Sequence, residues 1–338
     1  MVPAAVFVDE PLWLIVIKSA FVIFVVMTAF AYVLLAERKL IGRFQVRYGP
    51  NRTGPFGLLQ PLADVVKLIF KEDFVPAGAN RVLFAVAPAF TVVAAVGAIA
   101  VIPYGDGTVE LFGQEFNLVG ADINIGILFL FALSGIGFYS LILAGWASGN
   151  KYSLLGAART AAQLVSYEVV MGLSIIGVIM MAQTLSLVEV VNAQQDTLWY
   201  VVFQPLGFLI FLVAGVAETN RAPFDLPEAE SELVAGYHTE YAGLKFAMFF
   251  LAEYVNIIII TAFGATLFLG GYAGPVLPGF LWLAIKVSVL LFLFIWLRAT
   301  LPRLRYDQLM QFGWKVLLPL ATANLVITAI VVALGFAN

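Results

Sequence analysis

The chain has 338 residues, 62% of them hydrophobic and 12% charged, with a formal net charge of −3. Ordinary soluble domains carry about 25% charged residues, and a mean hydropathy of +0.99 leaves more apolar surface than a water-facing fold can hide. A soluble protein is excluded, and an integral membrane protein is expected.

The apolar residues run in long unbroken blocks rather than short alternating segments. That pattern argues against a spanning β-barrel and for helices, which satisfy their own backbone groups in lipid. An all-α fold follows. In chain order, blocks near the roughly 20 residues that cross a bilayer stand at 12–35, 82–102, 123–145, 162–183, 199–217, 244–269, 280–299 and 314–336. About eight transmembrane helices are expected, in a single membrane domain covering 1–338. The block 162–183 is weakened by Gln163 and Glu168, and 199–217 is short. Residues 1–11 contain no Lys or Arg and the first block is as long as a full span, so no cleaved leader is expected.

Between the first two blocks, residues 56–71 read as an amphipathic helix lying in the membrane interface. Leu58, Leu59, Leu62, Val65, Val66 and Ile69 fall near helical spacing, with Asp64, Lys67 and Lys71 on another face. Residues 103–122, with a Tyr-Gly-Asp-Gly turn, read as a simple connector with room for a short hairpin. The alternate loops are long and charged. They hold Arg38, Lys39, Arg43, Arg47, Arg52, Lys67, Lys71 and Arg81, then Lys151 and Arg159, then Arg221 and Lys245, then Arg298, Arg303, Arg305 and Lys315. Lys18 and Lys286, inside blocks, complete the 18 basic residues. Such a bias puts the charged loops in the cytoplasm and both termini outside.

Stretch 217–245 is the densest in chemistry, and its acidic cytoplasmic loop spans 217–243. Glu218, Asp225, Glu228, Glu230, Glu232 and Glu240 lie there with Arg221 and Lys245. One reading is a solvated acidic loop. The other is a folded, partly buried loop, stiffened by Pro223 and Pro227 and docked against arginines such as those of the first inward segment. Within or at the edges of the spans stand Glu37, Glu168, Glu218, Glu253 and Lys286. A charge at mid-membrane costs roughly 2.5–3.5 kcal/mol, so these are functional candidates. Each acid is either a proton relay or a neutral hydrogen-bonded group between helices. Lys286 is a candidate partner for one of them, and Lys18 reads as a snorkelling anchor.

With no Cys and His238 as the single histidine, thiolate-bound clusters, bis-histidine haem and His-cluster metal sites are not expected in this chain. No metal site is assigned. His238, beside Tyr237, Glu240 and Tyr241, reads either as a structural hydrogen-bonder or as a proton donor and ligand contact.

The runs Gly57-Leu-Leu-Gln60-Pro-Leu-Ala-Asp64-Val-Val-Lys67 and Pro223-Phe-Asp225-Leu-Pro-Glu228-Ala-Glu230-Ser-Glu232-Leu-Val-Ala-Gly236 resemble the two signature stretches of one family. That family is the H-type membrane subunit of the proton-pumping NADH–quinone oxidoreductase, the counterpart of respiratory complex I subunit 1. Ala36-Glu-Arg-Lys39, Arg47-Tyr-Gly-Pro-Asn51, Gly145-Trp-Ala-Ser148, Lys151-Tyr-Ser-Leu-Leu-Gly156, Ser166-Tyr-Glu168, Tyr237-His-Thr-Glu-Tyr241 and Arg298-Ala-Thr-Leu-Pro-Arg303-Leu-Arg305-Tyr-Asp307 fit as well. The resemblance covers nearly the whole chain.

It implies one subunit of a multisubunit translocase, with ubiquinone or menaquinone as substrate and FMN and iron–sulfur clusters in partner subunits. Partners are peripheral quinone-site subunits on the cytoplasmic side and small membrane subunits on the pumping side. Carried over, Glu37, Arg38, Arg47 and Asp64 line the quinone passage. Asp225, Glu228, Glu230 and Glu232 form the acidic loop beside the headgroup, with Arg303 and Arg305 as partners. Glu168, Glu218 and Glu253 carry protonation or field changes away, and His238, Glu240 and Lys286 are secondary candidates. Some members carry a further acid in the third span, where Ser134-Gly-Ile-Gly137 has none. A bacterial plasma membrane is expected, with an organellar inner membrane as the alternative. Two other functions remain open: the membrane anchor or proton-conducting subunit of an energy-converting hydrogenase-type complex, and an independent proton-coupled transporter.

Overall fold

The computed structural model describes residues 12–111, 114–227 and 230–335. Helix α1 (Leu12–Phe44) leads through a 3₁₀ turn at Pro55–Gly57 to α2 (Gln60–Ile69) and then α3 (Arg81–Ile99). An antiparallel hairpin of β1 (Pro103–Leu111) and β2 (Gln114–Val119), with Val109 opposite Phe116, joins α3 to α4 (Gly126–Ala147). Then follow α5 (Lys151–Ala182), α6 (Leu187–Asp196), α7 (Tyr200–Phe203), α8 (Pro205–Glu218) and α9 (Glu230–Leu233). A 3₁₀ turn at Gly236–His238 precedes α10 (Gly243–Phe268), and α11 (Gly279–Thr300), α12 (Tyr306–Phe312) and α13 (Leu318–Ala333) complete the chain. The protein is an all-α membrane protein apart from the hairpin. Among the described residues, seven helices are long and apolar enough to cross a bilayer, with α12 and α13 counted as one, and α8 is a shorter apolar helix.

Two helices outrun the apolar blocks. At 1.5 Å per residue, α5, with 32 residues, is about 48 Å long, well beyond the roughly 30 Å hydrocarbon core. Its first turns are started by Asn150, whose side chain accepts the Tyr152 amide at 2.9 Å, and they carry Gly156, Arg159 and Gln163. It stops at Gln183, which takes a left-handed conformation with φ 55°. Helix α1, with 33 residues, likewise carries Glu37 and Arg38 past its apolar stretch.

The short block at 199–217 is a broken helix. Pro205 has no amide to continue a helical ladder, so α7 ends at Phe203 and α8 begins anew. Gln204 in the gap is buried and tied to α13, where Asn324 donates to its Oε1 at 2.8 Å and its Nε2 donates to Thr328 Oγ1 at 2.6 Å. The amphipathic stretch is shorter than its sequence pattern, because Phe56 has φ 52° and Gly57 has φ 76°. Those turns end one element before α2 begins. Helix α2 leaves Leu62, Val65, Val66 and Ile69 exposed.

The core lies among α3, α4, α5, α8 and α10, where Tyr167, Phe211, Tyr254 and Phe268 are fully buried. Helix α5 also carries the acidic loop. A Cβ on Gly156 would lie 2.8 Å from the Tyr237 amide nitrogen and 2.9 Å from the Gly236 Cα, so helix and loop meet backbone to backbone. Replacing Gly156 with Ala is expected to push the 236–238 turn off α5 and to cost about 1–3 kcal/mol, the range for overpacking. The midpoint of thermal unfolding in detergent should fall. Gly172→Ala, whose added Cβ would meet nothing within 4 Å, should not lower it.

Candidate functional site: a buried row of charges

Four charged side chains from four segments meet in one line. Glu37, near the C-terminal end of α1, is 5% exposed and accepts from Arg298 in the last turn of α11. Arg221, three residues beyond α8, lies 3.8 Å from the same Glu37 oxygen through Nη1. Its Nε is 2.7 Å from Glu253 Oε1 on α10, and its guanidinium stands 4.3 Å over the Tyr254 ring. The order Arg298, Glu37, Arg221, Glu253 alternates sign, which a buried row requires, because a charge out of water without a counter-charge costs several kcal/mol. The planar, delocalised guanidinium of Arg221 suits this place, pairing along its edge and stacking on its face.

Beyond Glu253 the row continues through two small cavities. One, of about 30 Å³, is lined by Glu253, Asn256, Tyr237 and Pro227 on one side and Glu218 on the other. The second, of about 80 Å³, is lined by Glu218, Ser134, Asn220 and Asn256 and runs between α3, α4 and α10 towards Ala98 and Leu130. Glu218 belongs to both. Its Oε1 accepts from Ser134 on α4, its Oε2 is buried with no hydrogen-bond partner among the described residues, and Glu168 on α5 is close enough to act on it electrostatically. A small cavity of about 20 Å³ at the other end of the row touches Glu37, Arg221 and Arg298.

The acidic loop is folded, with Phe224, Leu226, Leu233 and Tyr237 buried. Gln163, the apparent weakness of the 162–183 block, holds its start: Nε2 faces the Ala217 and Phe224 carbonyls at 2.8 and 2.9 Å and Asn220 Oδ1 at 3.3 Å. The Leu304 amide donates to the Pro223 carbonyl at 3.0 Å. Glu232 pairs with Arg159 of α5 rather than with an arginine of the first inward segment, and Arg303 also acts on it electrostatically. Glu228 lies outside the described residues, and Glu230 opens α9. Asp225 is half-buried between Phe224 and Leu226.

The remaining candidates are spread out. Arg38 pairs with Asp64 at 2.6 Å, binding α1 to α2. Arg47 is exposed and bonds Gln45 at 2.8 Å. Arg305 does not join the loop: it makes a two-point pair with Asp307 at 2.5 and 2.7 Å. Glu240 accepts from Asn150 at 2.6 Å. His238 packs edge-on to Tyr237 and Phe246, with ring centres 4.9 and 5.4 Å away. Lys286 bonds the Gly271 and Ala273 carbonyls at 2.8 and 2.7 Å and lies over the Trp199 ring. It closes the 270–278 turn instead of joining the acids. Sequence reasoning passed over Arg221 and Arg298 as members of the row, because their charge and their place at span ends do not distinguish them from the other loop arginines.

A profile described as NADH dehydrogenase matches residues 17–329. The chain is 54% identical over 311 residues to an NADH-quinone oxidoreductase H subunit of Geobacter sulfurreducens, covering 92% of this chain and 94% of that one. With the H subunit of the same enzyme in Thermomicrobium roseum the identity is 56% over 310 residues, 89% and 91% of the two chains. With that of Rhodospirillum rubrum it is 51% over 326 residues, 94% of each.

Two outcomes follow from the charges. Arg221→Met leaves Glu37 and Glu253 facing each other and should cost about 3–5 kcal/mol, as breaking a buried pair does, seen as loss of folded protein from membranes. Arg221→Lys, which keeps the charge without the fork, should be intermediate. The Arg159 guanidinium holds the Glu232 carboxyl below the usual carboxylate range. A depressed folded pKa contributes stability above the ordinary value of about 4.3 and loses it as pH falls through the depressed one. The Glu232 side chain is 46% exposed, so this contribution is at most roughly 1 kcal/mol. Thermal midpoints of the protein and of Glu232→Gln should differ slightly at neutral pH and converge below about pH 4.

Proposed function

The chain belongs to the NADH dehydrogenase family, and on that premise we propose that it serves as the membrane subunit of a proton-translocating NADH–quinone oxidoreductase. It sits in a bacterial plasma membrane with its charged loops in the cytoplasm and both termini outside. Electrons from NADH reach quinone through FMN and iron–sulfur clusters held by partner subunits. Peripheral subunits cover the inward loops, and small membrane subunits flank the other end. The 20 Å³ space beside Glu37 is far smaller than a quinone headgroup, so partner subunits complete the chamber. Glu37, Arg38, Arg47 and Asp64 line its membrane side, and the acidic loop lies beside the headgroup.

The observation that carries this reading is the continuous row Arg298, Glu37, Arg221, Glu253, with Glu218 beyond it. Quinone reduction to quinol takes up two electrons and two protons. Charge appearing at the Glu37 end acts strongly in a water-poor interior and changes which carboxylate Arg221 favours. Glu253 then exchanges a proton with the cavity it shares with Glu218, and Glu168 feels the change at Glu218. The subunit thereby turns the redox step into a displacement of charge along the membrane.

Photo-crosslinking of native membranes with an azido-quinone, followed by mass mapping, tests the chamber. Labelling within 37–64 or 225–240 that excess quinone suppresses is expected. A complex that reduces quinone with this chain unlabelled would make it an anchor or a proton conduit. Glu218→Gln should lower the protons translocated per quinone reduced in reconstituted complex, whereas an unchanged ratio in assembled complex removes Glu218 from the path.

A further inference from the structure

The space between Glu253 and Glu218 is lined by hydroxyls and amides. Thr91 of α3 faces both cavities that meet at Glu218, and Asn220 and Asn256 are shared by them too. The Thr91 hydroxyl lies 2.5 Å from that of Ser140 on α4, and either atom can be the donor. Each has a second acceptor within reach, the Ala87 carbonyl at 3.2 Å for Thr91 and the Gly137 carbonyl at 2.6 Å for Ser140. A hydroxyl owns one proton and two lone pairs. The pair therefore has two arrangements: Thr91 donating to Ser140, which donates to Gly137, or Ser140 donating to Thr91, which donates to Ala87. Both groups are buried, so water does not compete for these bonds from bulk.

A cavity of about 80 Å³, whose largely apolar walls carry Glu218, Ser134, Asn220, Asn256 and Thr91, is room for several waters, at roughly 10–15 Å³ each. Glu218 Oε2, buried in it without a hydrogen-bond partner among the described residues, supplies an acceptor, and the Asn220 and Asn256 amides supply donors and acceptors. Ser134 donates its single proton to Glu218 Oε1 and keeps lone pairs for a water. A wholly apolar cavity of this size would stay dry, whereas these groups give water hydrogen-bond partners around Glu218.

We infer that Thr91 and Ser134, whose hydroxyls face the cavities, are proton-relay groups, which with cavity water connect the Glu253 side of the row to Glu218 past a stretch of α4 that carries no acid, with Ser140 positioning Thr91. Each hop is balanced: a hydroxyl accepts a proton on a lone pair from one cavity water and releases its own to the next water or, at Ser134, to Glu218, and the reversed hydrogen-bond direction resets by rotation of the O–H. No oxidant or co-reactant takes part. The inference rests on the function proposed above, in which Glu253 and Glu218 exchange protons.

The test uses the whole complex reconstituted in liposomes, reading protons translocated per quinone reduced. Thr91→Val keeps the shape and removes the hydroxyl, Thr91→Ser keeps the hydroxyl, and Ser134→Ala removes the donor to Glu218. A several-fold fall in the ratio for Thr91→Val and Ser134→Ala, with Thr91→Ser near the parent, is the expected result. Should Thr91→Val fail to assemble, Ser134→Ala and the Thr91→Ser comparison still decide. If Glu218→Gln collapses the ratio while Thr91→Val and Ser134→Ala leave it unchanged, the hydroxyl relay is overturned and the acids stand. If Glu218→Gln also leaves it unchanged, the underlying reading fails with it.

Discussion

Arg221 is held between two carboxylates, and much of the bundle around it is arranged to keep it there. A guanidinium taken out of water needs counter-charges at its edge and an acceptable face. Glu37 comes from α1, Glu253 from α10 and the Tyr254 ring from the next position of α10. Arg298 from α11 then balances the second charge requirement of Glu37. Three helices and the end of a fourth are thereby fixed in register by electrostatics rather than by apolar contact, which in lipid has no hydrophobic driving force between helices. Such a row is costly to build and costly to break, and its members are coupled, since moving one cation changes the field at both neighbours.

The same requirement shapes the helices around it. Asn256 lies one turn beyond Glu253 on α10, a spacing that places both on one face, and that face borders the two cavities. Helix α5 contributes Gln163 and Tyr167 at a similar spacing. The first clamps the start of the acidic loop, and the second donates to the Leu309 carbonyl at 3.0 Å beside the π-helical turn at Gly313–Leu317. A polar residue in an apolar helix is tolerated when a neighbouring backbone uses its hydrogen bonds. These two residues are where α5 grips the elements that would otherwise be free to shift.

The acidic loop shows how a strongly charged segment becomes a fixed part of a membrane protein. Its apolar residues are inside, its turn at Gly236–His238 rests on Gly156 without an intervening side chain, and its charge at Glu232 is met by Arg159. The Glu232 side chain remains 46% exposed.

The amino-acid sequence by itself determined the membrane class, the helical fold and the family, because each is a statement about composition, run length or contiguous motif. It also marked Glu37, Glu218 and Glu253 as costly and therefore meaningful. It did not show the lengths of α1 and α5, since a helix continues past its apolar stretch when capping and loop packing support it, as at Asn150 and Gly156. Nor did it separate Arg221 and Arg298, which are members of the row, from Arg47 and Arg305, which are solvent-facing: all four are arginines of loops or span ends with the same charge. Lys286 was drawn to main-chain carbonyls at 270–274 for the same reason, since a cation goes to whatever acceptors the fold brings within reach. Only the tertiary structure decided the pairing, because Coulomb attraction and hydrogen bonding depend on distances of a few ångströms between residues that the chain holds up to 261 positions apart.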